Sequence, residues 1–354
     1  MMETESIRLL RELSEAFGPS GFEDEVAAIA RREGAKWGDV REDTLRNMYL
    51  YRRENTGNRP VVVLDAHSDE VGLMVQYVHP NGLLQIVPLG GWAPGVLPGQ
   101  TVRVRRRDGG FVRGVIASVP PHFATSAKPG DAADCRIDVG ASSIQDVEAL
   151  GIGVGAPVVP DTAFSYDEAR GLCFGKAFDC RVGCAAVLET LRRLQGETLA
   201  VDVVGVLSSQ EEVGERGAMA AAYAVHPQAV LVFEGAPADD TFTPDYARQT
   251  VLGKGPMLRH MDRCMITHPR MIRHVIDTGR KAGLPVQEAV RTGGGTNGGV
   301  YHVQQGGAPS VVIGQPVRYI HAPCSVASVR DLENGVQLAL EVLHSLSEEV
   351  LAAL

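Results

Sequence analysis

The sequence predicts an α/β protein interrupted by an inserted β domain, and three observations carry that reading. Val61-Val62-Val63-Leu64 is wholly apolar and rich in β-branched residues, as a strand buried on both faces of a parallel sheet should be. From about residue 72 to 165 the texture changes to short runs such as TVRVRR, FVRGVIA and APVVP, separated by Gly and Pro turns. After residue 170, strand-like runs alternate again with segments of helical spacing. The expected division is therefore residues 1–71 with 166–354 as one α/β domain, and 72–165 as an insert of small-barrel or β-sandwich composition. A chain of 354 residues is long enough for two such units.

Taken in order, Ile7, Leu10, Leu13 and Phe17 fall near one face of a first helix, and Gly18-Pro19 stops it. Ser20 and Glu23 have capping-box spacing for a second helix carrying Val26, Ile29 and Ala30. The strand 61–64 runs into DAHSDE. The insert offers one candidate helix, around Ile144 to Leu150. Val187, Leu188, Leu191 and Leu194 mark the next helix. Strand VDVVGVL (201–207) leads to SSQEEVGERGA, AVLVF (229–233) to Glu234, and SVVIG (310–314) toward Tyr319-Ile320-His321. A closing amphipathic helix opens at Ser328 and Asp331, again at capping-box spacing.

Composition excludes several classes. Lys and Arg number 34 against 43 Asp and Glu, so the net charge of −9 argues against a nucleic-acid partner, which needs a positive footprint. The one basic stretch, Arg103 to Arg107, reads as the solvated face of a strand. No run of about 18 apolar residues is present to span a membrane. The charged, amphipathic MMETESIRLLRELSE is unlike a secretory signal, and the six scattered cysteines form no CxxC pair. Reduced thiols and a cytoplasmic location are the expectation.

The chemistry lies in position. His67, Glu211, Glu212 and Glu234 each follow closely on a strand-like run, and ligands of open parallel sheets gather outside the carboxyl ends of strands. His321 follows its strand after a short loop, and Asp179 precedes a helix whose N-terminus can bring it in. In an extended segment His67 and Asp69 share a side, and a metal-bound histidine needs its second nitrogen held by a carboxylate or carbonyl, a role open to Asp65 or Asp69. The adjacent carboxylates Glu211 and Glu212 would repel in a dry site unless a cation lies beside them. One can then bind metal while its neighbour acts as a base. Two histidines and three carboxylates suit a pair of zinc, cobalt or manganese ions, and fit hydrolysis better than electron transfer.

DAHSDEVGLMV, AFDCRVGC, SSQEEVGERGA, FEGAPADD, TGGGTN and YIHAP follow in the order and spacing of the tetrahedral (TET) aminopeptidases, which this chain resembles over nearly its whole length. These are co-catalytic metallopeptidases of the glutamyl, leucyl and lysyl aminopeptidase type. The resemblance implies a phosphorylase/hydrolase-like catalytic domain with a mixed, mostly parallel sheet, and makes the insert a small β-barrel dimerisation domain. It implies dimers assembled into a tetrahedral dodecamer that acts on short peptides. Carried over, it gives two divalent ions per subunit, one held by His67 and Glu234, the other by Glu212 and His321, with Asp179 bridging. Glu211 becomes the general base and Asp69 orients His67. Three positions depart from the family pattern. Glu234 stands where many relatives have Asp. Cys180 stands where a second Asp commonly follows the bridging Asp across a cis peptide. Asn297 stands where Asp often follows GGGT.

Other readings weigh less. Gly293-Gly294-Gly295 lacks the Lys-Ser/Thr of a phosphate loop and reads as a tight loop beside the substrate backbone. Gly151, Gly153 and Ala156 match dinucleotide spacing but precede Pro157 and no helix, so a β turn suffices. Cys184 reads as packing, Cys180 as near the metals without being a nucleophile, and His122 in PPHF as a surface turn or a residue reaching a neighbouring subunit. The competing functions are a metal-dependent deacylase or amidohydrolase on small N-acyl compounds, and a non-catalytic metal-binding shell protein.

Overall fold

The computed structural model describes residues 4–119, 122 and 132–354. A mixed sheet forms the larger body. Its four central strands lie parallel in the order Asp202–Ser208, Val61–His67, Ala229–Pro237 and Ser310–Arg318. On one side the hairpin Gly38–Glu42 and Met48–Arg52 adds antiparallel to Asp202–Ser208. On the other, Ser325–Ser328, Leu172–Gly175 and Ser165–Asp167 continue the sheet antiparallel.

Side-chain alternation along each central strand divides the interior in two. Val62, Leu64, Val203, Leu231, Phe233, Val311 and Ile313 face one core, with helices Glu5–Glu15, Phe178–Arg193 and Val329–Ser345 packed on it. Val63, Val204, Val206, Val230, Val232 and Val312 face the other, covered by Arg216–Val225 and the short helix Gly298–Tyr301. Both faces being dry explains why strand 61–64 is apolar without alternation. The four parallel strands point their carboxyl ends the same way, which sets the place of the site.

The second body is a closed antiparallel barrel of six strands: Gly72–Val78, Leu84–Leu89, Arg136–Asp138, Phe111–Ile116, Thr101–Arg105 and Pro157–Pro160. Its core holds Leu73, Val75, Ile86, Val102, Val104, Ile137 and Val158. Gly151 and Gly153 lie in the turns before its last strand. His122 is exposed, while the rest of PPHF lies outside the described residues. No helix among the described residues is long and apolar enough to cross a membrane.

Three local expectations need correction. Helix Asp24–Gly34 starts after Glu23 with no side-chain cap, because the Ser20 hydroxyl donates to Asp69 instead. Helix Val329–Ser345 does start after Ser328, but the Asp331 carboxylate turns away to accept from the Gly253 and Gly255 amides. Nor are Arg103 and Arg105 simply a solvated face. Both guanidinium groups lie over Phe111, Arg105 also lies over Phe17, and Arg103 donates to the Glu15 carbonyl, so they join the barrel to the first helix.

Candidate metal centre

The six predicted acidic and imidazole groups do converge. His67 is the last residue of its strand, Glu234 lies in the next strand across, and Glu211 and Glu212 occupy the turn after Asp202–Ser208. Asp179 sits in the first turn of helix Phe178–Arg193 with non-helical dihedrals, followed by a cis peptide to Cys180. His321 lies on the loop beyond Ser310–Arg318.

Asp179 is the centre of the arrangement. One of its oxygens is 3.2 Å from His67 Nε2 and the other 3.4 Å from His321 Nε2. His67 Nε2 is also 3.3 Å from Glu234, and His321 Nε2 is 3.4 Å from Glu212. Glu211 stands further off, 3.9 Å from His67 Nε2. Three overlapping groups of donors result: two share Asp179, and His67, Glu211 and Glu212 make a third. Asp179, Glu212 and His321 form the first, and His67, Asp179, Glu234 and Cys180 the second, the ligand atoms of each lying within 4.8 Å of one another. Gly235 makes this approach possible, since a Cβ there would lie 2.8 Å from Asp179 Cα.

The donor set fits divalent cations. The oxygens and imidazole nitrogens are those that borderline ions take. Glu212 Oε1 is buried with no hydrogen-bond partner, an acceptor awaiting a positive charge. Burial drives Glu211 and Glu212 well above the ordinary carboxylate range, and neighbouring acids push the same way. Burial likewise lifts Glu234 to about 7. For His67 burial works against protonation, but the Glu234 and Glu211 carboxylates outweigh it and raise its pKa. So much charge in one dry space calls for a counterion.

Asp69 holds the assembly in register. Its carboxylate accepts from the Glu211 and Glu212 amides at 2.9 and 3.2 Å, and from Ser20 at 2.6 Å, while Oδ1 lies 3.4 Å from His67 Nδ1. Burial would raise its pKa, yet these donors keep it below the ordinary value. Next along the chain, buried Glu70 accepts from Lys176 at 2.6 and 2.8 Å and meets Arg181 at 3.4 Å, tying DAHSDE to the segment that carries Asp179. Among the described residues Asp65 makes no hydrogen bond or ion pair with His67. It accepts from Asn297 at 2.7 Å and Tyr301 at 3.0 Å. An Asp at 297 would bring two carboxylates into contact, so Asn suits this neighbourhood.

Non-glycine residues with positive φ cluster here. Of the seven among the described residues, Ala177, Gln210, Glu215, Tyr319 and His321 lie within three positions of a cage residue. Such backbone strain persists where surrounding contacts over-determine it.

Residues 47–338 match the M42 glutamyl aminopeptidase family. This chain belongs to that family. As an M42 peptidase it is a peptide hydrolase. It is 31% identical over 348 residues to the glutamyl aminopeptidase of Lactococcus lactis subsp. cremoris, covering 97% of each chain. The TET aminopeptidase of Thaumarchaeota archaeon SCGC AB-539-E09 superposes with a TM-score of 0.94 at 38% identity, covering 99% of each chain. The TET1 peptidase of Pyrococcus horikoshii, which can assemble into a tetrahedron or a large octahedral shell, gives 0.87 at 26% identity, covering 97% of this chain and all of that one.

A cavity of about 510 Å³ opens over the M42 cage, lined by His67, Asp179, Glu211, Glu234 and the loop 292–295. Some of its surroundings carry no sequence signal. Arg259 and Arg291 line it, paired with Asp262 at 3.0 Å and Asp239 at 3.1 Å. From the barrel, Gly90 and Gly91 close over the opposite side: a Cβ at 90 would lie 3.0 Å from Glu212 Cβ, and one at 91 would lie 3.6 Å from His321 Nδ1. The Ala93 amide donates to the His321 carbonyl at 3.0 Å. The Gly-Gly pair was legible only as a turn signal.

Proposed function

We propose that this chain is a dinuclear-metal aminopeptidase that removes N-terminal residues from short peptides. The supporting observation is Asp179, whose two oxygens face two different histidines, each with its own acidic partner. His67 and Glu234 would hold one cation and Glu212 and His321 the other, with Asp179 facing both. Zinc, cobalt and manganese all suit these donors. When bound, such a pair supplies electrophilic activation of the scissile carbonyl and of the attacking water.

The remaining work belongs to the chain. Glu211 lines the cavity and, though it groups with His67 and Glu212, stands further from His67 Nε2 than Asp179 and Glu234 do; it takes the water's proton and returns it to the leaving amine. Asp69 keeps His67 oriented and fixes the Glu211 amide. The loop Gly293–Gly295 offers a side-chain-free wall to the substrate backbone. Residues 72–165 are read as the dimerisation domain, with dimers building a tetrahedral dodecamer in the cytoplasm. The shell-forming Pyrococcus horikoshii relative supports assembly of this kind.

A panel of amino-acid p-nitroanilides, free and N-acetylated peptides, and N-acyl amino acids tests the reading with defined metals. Free amino termini should be cleaved and acetylated ones spared. Equal cleavage of both overturns the exopeptidase assignment. Glu211→Gln should lower kcat by about 10²–10⁴-fold with metal content unchanged. Wild-type turnover in that variant removes Glu211 as the base.

A further inference from the structure

We propose that Cys180 supplies a sulfur ligand to the His67 side of the centre, so that the two cations occupy chemically different places. This rests on reading the cage as a metal centre. The sulfur completes a four-donor group with His67, Asp179 and Glu234, all ligand atoms lying within 4.8 Å of one another, whereas the group around His321 has only oxygen and nitrogen. Cys180 is wholly buried, on the side of the group away from solvent, while His67, Asp179 and Glu234 line the cavity.

The fold makes room for this sulfur. Helix Phe178–Arg193 has glycine at 183, where a Cβ would lie 2.4 Å from Cys180 Sγ. The thiol donates to the Phe233 carbonyl at 3.3 Å, next to Glu234. Cys184, one turn on and equally buried, shows the contrast. It donates to the His67 carbonyl at 3.1 Å and enters none of the donor groups. Proximity to His67 therefore does not by itself make a cysteine a ligand candidate here. On ligation the S–H bond breaks, a sulfur–metal bond forms and the proton leaves to solvent, with no change of oxidation state. A thiolate favours softer ions, so the buried position takes zinc or cadmium in preference to manganese, and the His321 position does not share that bias.

Cobalt(II) titration of the metal-free protein tests this through its spectrum. The wild type should show a sulfur-to-cobalt charge-transfer band in the near ultraviolet. Cys180→Ser should lose that band while still binding two cobalt ions per subunit, and Cys184→Ser should keep it. Calorimetry in buffers of different ionisation enthalpy should find one proton fewer released on metal binding by Cys180→Ser than by wild type. Two bound cobalt ions without the band, or a band that survives Cys180→Ser, overturn the sulfur ligand and leave the metal centre standing. Failure of the wild type to bind cobalt at all overturns both. Should Cys180→Ser not fold, Cys180→Ala is read in the same way, and the presence or absence of the band in wild type and Cys184→Ser still decides.

Discussion

The two sides of the acidic cage are built to different standards. The His67 side is set in the sheet. Its imidazole is 1% exposed, its second nitrogen is held by Asp69, and a further buried layer of Asp65, Asn297 and Tyr301 lies behind it. The His321 side is hung on a loop. Its side chain is 33% exposed, Tyr319 and His321 both have positive φ, and part of its cover comes from the barrel. The difference teaches that one of the two proposed cation positions would be fixed by folding itself, while the other would depend on how a loop and the insert meet.

Removing each histidine tests this asymmetry most severely. His67→Ala should empty the buried position and, its remaining His321-side ion being loosely held, retain essentially no metal after gel filtration, with turnover lost. His321→Ala should keep one tightly held ion and lose the weaker one. Metal analysis after gel filtration distinguishes them, and equal losses from both variants would break the comparison. Next comes the brace behind His67. Burial pulls Lys176 down to about 8 against the attraction of Glu70, so the pair is intact at neutral pH. Glu70→Gln leaves Lys176 and Arg181 buried without their counterion and should cost about 3–5 kcal/mol in denaturant unfolding. Asn297→Asp places a carboxylate against Asp65 and should cost about 1–3 kcal/mol, with metal content at the His321 side unchanged.

The smallest effect is a control remote from the cage. Burial raises Asp331 to about 6 against the lowering pull of the Gly253 and Gly255 amides. The folded chain thus holds this proton more tightly than the unfolded one. Its contribution to stability falls as pH rises from the ordinary carboxyl value to about 6, and stays low above that. In a Tm series on metal-free protein, Asp331→Asn should flatten this part of the profile, leaving the remaining slope to the other buried carboxyls whose pKa burial raises, Glu23 and Asp65 as well as the cage acids.

Much of the fold was legible because each central strand is an apolar run ended by a polar residue, and burial on both faces demands that pattern. The cage residues were legible for the same reason, since strand ends mark the site. What escaped depends on contacts between distant segments. Ser20 has the spacing of a cap, yet Asp69, 49 residues away, claims its hydroxyl. Asp331 is drawn off by glycine amides 76 and 78 residues earlier. Arg103 and Arg105 alternate like surface residues, but Phe17 and Phe111 give their flat cations a place to stack. Strand 38–42 is short and only partly buried, and strand 48–52, though largely buried, is five residues long and ends on a buried arginine, too weak a pattern to stand out. No periodicity records any of these encounters.

The bond from Ala93 to the His321 carbonyl has a consequence for anyone wishing to shrink this enzyme. Excising the insert would spare the sheet and all five proposed ligands, yet it would cut the tether of the loop that presents one of them. A minimal version would therefore need a replacement anchor for that loop, and the barrel cannot be treated as detachable packaging.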